Sequence, residues 1–161
     1  MSQTSLFTEE LGITWLHASV CDPRCLTLFK RHYSHQNKAR HGISRGNLAR
    51  FAGPGEVMLL LTPACDALFV WRRERFRRDR QEGINCAVFR NEGERMSSLL
   101  IREGCRLAWQ RWPGQRLFTF VNPRAIRSTN PGYCFKAAGW SPCGHTKKRR
   151  LLIFDIHPGN S

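Results

Sequence analysis

The chain has 161 residues, enough for one domain with a hydrophobic core and too few for two. A hydrophobic content of 41% argues against wholesale disorder. No apolar run is long enough to cross a membrane, and the polar residues 1–10 do not resemble a signal peptide. We therefore expect a single cytoplasmic domain over residues 1–161, with a core from about 13 to 156 and short polar termini.

The charge is the unusual property of the composition. The formal net charge is +14, the pI is about 10.6, and most of the basic excess is arginine. Because the planar guanidinium group pairs well with phosphates and with guanine edges, this balance favours a nucleic-acid partner over a merely cationic soluble protein. The seven cysteines are expected to be thiols, since an odd number in a cytoplasmic protein argues against a disulfide framework.

The first half of the chain predicts a strand, a helix, a long loop and two further strands. Residues 13–18 predict the first strand, and Asp22 followed by Pro23 predicts the start of a helix. Residues 37–55 show no periodicity, and loops of that length in compact domains are usually functional. Two apolar strands follow at 57–61 and 68–71, with a turn between them.

The second half alternates strands and helices. Apolar strands are predicted at 84–90, 116–121 and 151–156, with helices at 98–112 and within 131–138. In the longer helix a single stripe carries Ile101, Cys105, Ala108 and Trp112, and its small residues would allow close packing on a sheet. These elements predict an α/β (α+β) domain with six or seven strands and about four helices.

The turn after the strand at 84–90 has the composition of an anion site. It contains Arg90, Gly93 and Arg95 and precedes a helix, whose first amides and dipole attract anions such as pyrophosphate. This turn resembles the cofactor loop of the GNAT acyltransferase superfamily, Gln/Arg-x-x-Gly-x-Gly/Ala. Arg90 and Gly93 match the pattern, and Arg95 replaces its small third residue. An ordinary surface turn is the alternative interpretation.

A second segment extends the resemblance to GNAT proteins. Their fifth strand is often followed by an Asn, here Asn122, and their next helix ends in Tyr-x-x-x-Gly-Phe, here residues 135–140. At the position where many of them carry a tyrosine that acts as an acid, this chain therefore has Phe135. Tyr133 lies two residues earlier, a rotation of roughly 200° on a helix, so it does not simply inherit that role. A partly buried residue at the helix start is the alternative for Tyr133.

The unit His32-Tyr33-Ser34, together with this order of elements, resembles the Mom-type DNA-modification proteins of bacteriophages, a divergent GNAT-like branch. The resemblance implies a GNAT-like, mostly antiparallel mixed sheet. It also implies transfer of a group from acetyl-CoA or a related acyl-CoA to the exocyclic amine of a DNA base, with adenine N6 as the first candidate for the target. Such a protein would protect phage DNA from restriction in the bacterial cytoplasm. The resemblance also suggests an iron requirement.

Candidate site residues follow from these motifs and from the chemistry. Adenine N6 is a poor nucleophile that needs close positioning and a proton acceptor, and an imidazole titrates near neutral pH. One of the two serines at the helix start is expected to cap the helix. The catalytic candidates are His32, Tyr33, Ser97 and Tyr133. The cofactor-binding candidates are Phe89, Arg90, Asn91, Gly93, Arg95, Ser98 and Asn122.

The nucleic-acid candidates lie in the long loop, in the basic stretch 72–80 and near the ends of predicted elements. They are Arg31, Ser34, His41, Arg45, Asn47, Arg50, Arg72, Arg73, Arg75, Arg77, Arg78, Arg80, Arg124 and Arg127. The alternative for these arginines is a solvated hairpin edge. To be modified, the target base also has to flip out of the base stack of the DNA, and aromatic and arginine side chains can hold a flipped base.

Two further questions stay open at the level of sequence. Cys21, Cys25, Cys143 and His145 could supply four zinc ligands, but their spacing matches no common zinc motif, so no metal site is assigned. Cys86, Cys105 and Cys134 are interpreted as small core residues.

Two alternative functions are considered. One is a GNAT-fold transferase acting on an amine of RNA or protein, and the other is a catalytically silent DNA-binding protein. The oligomeric state is not predicted.

Overall fold

The computed structural model describes residues 12–31, 55–74, 77, 79–126 and 129–159. Within them the strands are β1 (Leu16–Ala18), β2 (Glu56–Leu61), β3 (Ala67–Arg73), β4 (Ile84–Asn91), β5 (Leu117–Val121), β6 (Ser141–His145) and β7 (Leu152–Ile156). The helices are α1 (Pro23–Lys30), α2 (Ser97–Arg111) and α3 (Tyr133–Ala137). The expected strand number is confirmed, and the described part of the chain contains three helices.

The seven strands form one open sheet in the order β1-β2-β3-β4-β5-β7-β6. All neighbouring pairs are antiparallel except β4 and β5, which are parallel. This is the mixed, mostly antiparallel sheet of the α+β class that the sequence predicted, and it is compatible with a GNAT-like description. The insertion of β7 between β5 and β6 places the β6–β7 hairpin at one side of the sheet.

Both faces of the sheet are covered, which explains why its central strands are continuously apolar. On one face, α1 buries Cys25, Leu28 and Phe29 against β2, β3 and β4. On the other face, α2 and α3 pack on a second cluster built around the aromatic rings of β3. Alternate residues of β2 serve the two clusters, with Leu60 in one and Leu59 in the other.

The starts and stripes of the helices follow the sequence. Asp22 caps α1 by accepting a hydrogen bond from the Arg24 amide, and Pro23 occupies its first turn. The predicted stripe of α2 is buried, and Gly104 lies so close to β3 that a Cβ there would come within 2.6 Å of the Phe69 ring. Because that ring is itself fully buried, only glycine allows α2 to approach this closely.

Some boundaries differ from those expected. The first strand is shorter than 13–18, because Trp15 turns its indole towards α2 and donates to the Leu100 carbonyl (2.9 Å) before pairing begins. The strand β6 is fully exposed and contains Pro142 and Gly144, so it carries no apolar signal that would predict it. The other elements begin and end within about two residues of the predicted positions.

The strand registers show at which end of the strands each connection lies, and we refer to these two ends as the two edges of the sheet. The parallel strands β4 and β5 end at the edge that also carries the β2–β3 turn, the start of α2 and the β6–β7 turn. We call this the carboxyl edge and define it by residues 62–66, 92–96, 122–132 and 146–151. The opposite edge carries the β3–β4 connection, residues 74–83.

Candidate functional site

The central feature of the carboxyl edge is the separation of β4 from β5. These strands pair only from Ile84–Leu117 to Cys86–Thr119, although β4 continues to Asn91. At the same point the β3–β4 register shifts, since Val70 pairs with Val88 and Trp71 with Cys86. Ala87 is therefore the extra residue of a β-bulge, which bends a strand and increases its twist. The bulge directs the rest of β4 away from β5.

A side chain of β5 binds the Cys86 carbonyl at the last pair of residues that β4 and β5 share. The hydroxyl of Thr119, buried in β5, donates to the Cys86 carbonyl at 3.0 Å. A buried carbonyl without a partner would cost about 1–3 kcal/mol. The sequence interpretation missed Thr119, although one polar residue inside the apolar run of β5 was the available signal.

A cleft of about 320 Å³ lies between the separated strands. It is lined mostly by apolar side chains of β4, β5 and α3, with several polar groups at its rim. The lining residues are Cys86, Ala87, Phe89, Thr119, Phe120, Val121, Ile126, Asn130, Gly132, Tyr133, Cys134 and Phe135. An apolar concavity with few polar groups at the ends of parallel strands is a frequent ligand site in α/β proteins.

The turn 92–96 after β4 is held in place by its own hydrogen bonds. The Asn91 side chain accepts from the Gly93 amide (3.0 Å) and donates to the Arg95 carbonyl (2.7 Å) and to the Ser97 hydroxyl (3.0 Å). A Cβ on Gly93 would collide with the Asp66 carboxylate, and the Glu92 amide donates to the Asp66 carbonyl (2.7 Å). Packing against residues 62–66 therefore accounts for a glycine here.

The start of α2 presents free amides next to this turn. Within the described ranges, the amides of residues 94–98 donate no hydrogen bond. The expectation that Ser97 or Ser98 caps the helix is wrong: the N-cap is Met96, no side chain caps it, and the Ser97 hydroxyl is used by Asn91. The amides are consequently available to an anion, and the exposed Arg95 adds a positive charge beside them.

A cluster of charged groups ties α1 to the same turn. Glu92 accepts from Arg31 (2.7 Å) and from Arg90 (2.7 Å), and Arg90 also donates to the Arg31 carbonyl (2.9 Å). The hydrogen bond from Arg31, with that from Arg90, holds the pKa of Glu92 below its ordinary value. The guanidinium of Arg90 is therefore turned towards the end of α1, where Arg31 lies beside the turn.

The α3 candidates occupy the other wall of the cleft. Phe135 is buried against Phe89 and Trp140, whereas Tyr133 lies at the first position of α3 with 63% of its surface exposed at the cleft rim. Tyr133 is therefore the helix-start residue of the alternative interpretation, but most of its surface is exposed rather than buried. Asn122 accepts from the Arg124 amide (3.0 Å), which shapes the start of the β5–α3 loop.

The cleft cysteines are not poised as nucleophiles. Cys86 is fully enclosed and Cys134 is half-buried, and burial raises the pKa of both thiols above the ordinary range. Cys105 is also buried, so the interpretation of Cys86 and Cys105 as core residues is confirmed, with Cys134 packed at the margin of the same cluster. A covalent acyl-cysteine step has no activated thiolate in this cleft.

The described arginines of the basic stretch, Arg72, Arg73, Arg77 and Arg80, lie towards the opposite edge. The two edges are roughly 23 Å apart along β4 at about 3.3 Å per residue. Arg72 pairs with Glu74, and Arg77 pairs with Glu74 and Asp79 while stacking over Phe118. Burial lowers the pKa of Arg72. Arg73 and Arg80 remain exposed there.

The remaining candidates lie outside the residues that the structure describes. They are His32, Tyr33, Ser34, His41, Arg45, Asn47, Arg50, Arg75, Arg78 and Arg127. Of the sequence-predicted set, the structure brings Arg31, Phe89, Arg90, Asn91, Gly93, Arg95, Ser97, Ser98, Asn122, Arg124 and Tyr133 to the carboxyl edge.

Comparisons of the chain with protein-family profiles, with curated proteins and with solved structures gave no match. Among the described residues, no group of three His, Cys, Asp or Glu side chains is arranged to hold a metal ion. None of the helices described here is long and apolar enough to span a membrane.

The hydrogen bond that ends the β4–β5 pairing can be tested by a nearly isosteric substitution. We expect Thr119→Val to lower the free energy of unfolding by about 1–3 kcal/mol, because the buried Cys86 carbonyl loses its donor. Thr119→Ser keeps the hydroxyl and should cost less than Thr119→Val. Urea unfolding followed by circular dichroism measures both values. Equal losses in the two variants would show that the hydroxyl is not the stabilising group.

The Glu92 cluster predicts a pH-dependent contribution to stability. A depressed folded-state pKa stabilises the fold fully above the ordinary value of 4.5 and loses this effect as pH falls through the lower folded value. Glu92→Gln should therefore cost no more than about 1 kcal/mol near neutral pH, and the difference from the unsubstituted protein should shrink in acid.

Glu94→Gln is the matched control for Glu92→Gln, since Glu94 is in the same turn and makes no ion pair within the described residues. Unfolding free energies of all three proteins from about pH 3 to pH 7 give the comparison. A Glu92→Gln difference that stays constant over this range would contradict the assignment.

Proposed function

We propose that this protein is a GNAT-like transferase that modifies the exocyclic amine of a DNA base with the acyl group of an acyl-CoA donor. The first candidate for the target is adenine N6. The protein acts in the bacterial cytoplasm, where modification of phage DNA protects it from restriction. The observation that carries the proposal is the cleft that opens where the parallel strands β4 and β5 separate. The strand order around it and the resemblance to Mom-type proteins support the same class.

The residues at the carboxyl edge fit the donor. A CoA donor has a pyrophosphate and an activated acyl thioester, and its acyl carbon bonds to the amine nitrogen as the bond to sulfur breaks. The free amides of residues 94–98 suit the pyrophosphate, helped by Arg95 and the Ser98 hydroxyl. Among the described strands, none pairs with the backbone of β4 beyond Cys86 on its β5 side, so its polar groups can bind the extended part of the donor.

Two sequence candidates take different roles in this proposal. Arg90 matches the cofactor-loop pattern, but its guanidinium is held by Glu92 and by the Arg31 carbonyl, so we assign it to the attachment of α1. Gly93 permits the contact with Asp66 and keeps the turn compact. Arg95, with its exposed side chain, remains the basic group proposed to meet the donor.

His32 is the proposed base. It follows Arg31 directly in the sequence, and Arg31 is fixed to the turn beside the cleft by two hydrogen bonds. As the amine nitrogen bonds to the acyl carbon, it loses a proton, which the neutral imidazole accepts. Tyr133, exposed at the cleft rim, is assigned to contact with the flipped base.

Nucleoside mass spectrometry on DNA from cells expressing the protein tests this function. We expect a nucleoside heavier than deoxyadenosine by the mass of an acyl group. His32→Ala should lower its yield by about 10²- to 10⁴-fold, the usual contribution of a general base. His17→Ala is the matched control, since His17 is exposed on β1 at a distance from these motifs in the sequence.

The outcomes separate the proposal from its alternatives. Unmodified DNA with a mass change in RNA or protein would indicate a transferase for another amine. Intact DNA binding with no mass change in any of these would indicate a binding protein without this activity. Equal activity of the His32→Ala and His17→Ala variants would remove His32 as the base.

A further inference from the structure

A second concavity lies at the carboxyl edge, on the far side of β5 from the cleft. It is a groove of about 610 Å³ between the start of the β5–α3 loop and the β6–β7 turn. Its basic lining residues are Arg124, His145, Lys147, Arg149 and Arg150. The sequence interpretation assigned only Arg124 of this set to nucleic acid.

The charge of this groove is not balanced by acidic groups. Within the described residues, none of its lysine or arginine side chains forms an ion pair, unlike Arg72 and Arg77 at the opposite edge. The sequence has no Asp or Glu between Glu103 and Asp155. Asp155 itself is engaged by Arg116 (2.7 Å), near the opposite edge of the sheet. The groove therefore carries a concentrated positive potential.

The basic side chains stand on an ordered turn. The Thr146 amide donates to the Leu151 carbonyl (2.9 Å), and the Thr146 carbonyl accepts from the Arg150 amide (3.1 Å). The Thr146 hydroxyl accepts from the Leu151 amide (3.0 Å). These bonds close the turn on itself, so the cationic groups are presented together and lose less conformational entropy when they bind.

We propose that this groove binds the sugar–phosphate backbone of duplex DNA and thereby places the target nucleotide at the cleft. The proposal rests on the proposed function, because it names how the same edge holds its substrate. The β5–α3 loop lines both concavities, through Arg124 in the groove and through Ile126 and Asn130 in the cleft. A strand held in the groove therefore runs past the cleft entrance.

The surroundings of the groove favour nucleic acid over a lipid surface. No large apolar side chain is exposed on residues 141–150, and a membrane-binding hairpin normally inserts such groups among the acyl chains. Arginine with lysine in an open groove is instead typical of phosphate-backbone contacts, which position a protein without reading sequence.

Salt-dependent DNA binding by the full-length protein tests the groove without any donor present. The double variant Lys147→Ala/Arg149→Ala removes two phosphate contacts. The slope of log Kobs against log salt should therefore become shallower by about 1.8, with at least about tenfold weaker binding to a mixed-sequence duplex of about 20 base pairs in about 0.1 M salt. The variant Lys147→Arg/Arg149→Lys keeps the charge and should keep the slope.

The variant Arg106→Ala/Arg111→Ala is the matched control, because it removes the same net charge from exposed positions in the second half of α2, away from the carboxyl edge. An unchanged slope in the groove variant, or an equal change in the control, would overturn the proposal. So would tighter binding to vesicles containing phosphatidylserine than to the duplex. Since no chemistry is measured, a loss of DNA affinity in the groove variant would support the groove even if DNA from expressing cells were unmodified.

Discussion

The structure depends on the point at which two parallel strands stop pairing. The Ala87 bulge bends β4, and the Thr119 hydroxyl donates to the Cys86 carbonyl at the last pair that β4 shares with β5. Below this point the strands share one continuous core with α2 and α3. Above it they form two walls of a cleft. The cleft is thus part of the sheet itself.

Three parts of the proposed site lie at the carboxyl edge because of the chain order. The turn after β4 offers free amides, the attached end of α1 leads into the histidine candidate, and the β6–β7 turn contributes an unbalanced positive charge. Each belongs to a different stretch of sequence, and the registers of β4, β5 and β7 bring them to one edge. In the proposed arrangement the donor binds on the α2 side of the site, the amine lies in the cleft, and the DNA backbone binds beyond β5.

Much of the fold could be predicted because its signals are local. Apolar runs identified β2, β3, β4, β5 and β7, and a capping Asp followed by Pro identified α1. The exposed strand β6 gave no such signal, and neither did the absence of ion pairs, among the described residues, at the β6–β7 turn, since both depend on neighbours distant in sequence. The arginines of 72–80 illustrate the same limit: composition marked them as basic, but ion pairs with Glu74 and Asp79 neutralise two of them at the opposite edge.

The central claim is that the start of α2 and the cleft bind a CoA donor. The most direct measurement is a titration of the isotopically labelled protein with acetyl-CoA, followed through its backbone amide NMR signals. The account predicts saturable shifts at residues 94–98 and along the cleft walls from Ala87 to Phe89, with the β3–β4 connection at 79–83 unaffected. Unchanged signals at millimolar acetyl-CoA, or shifts centred on residues 79–83, would contradict it.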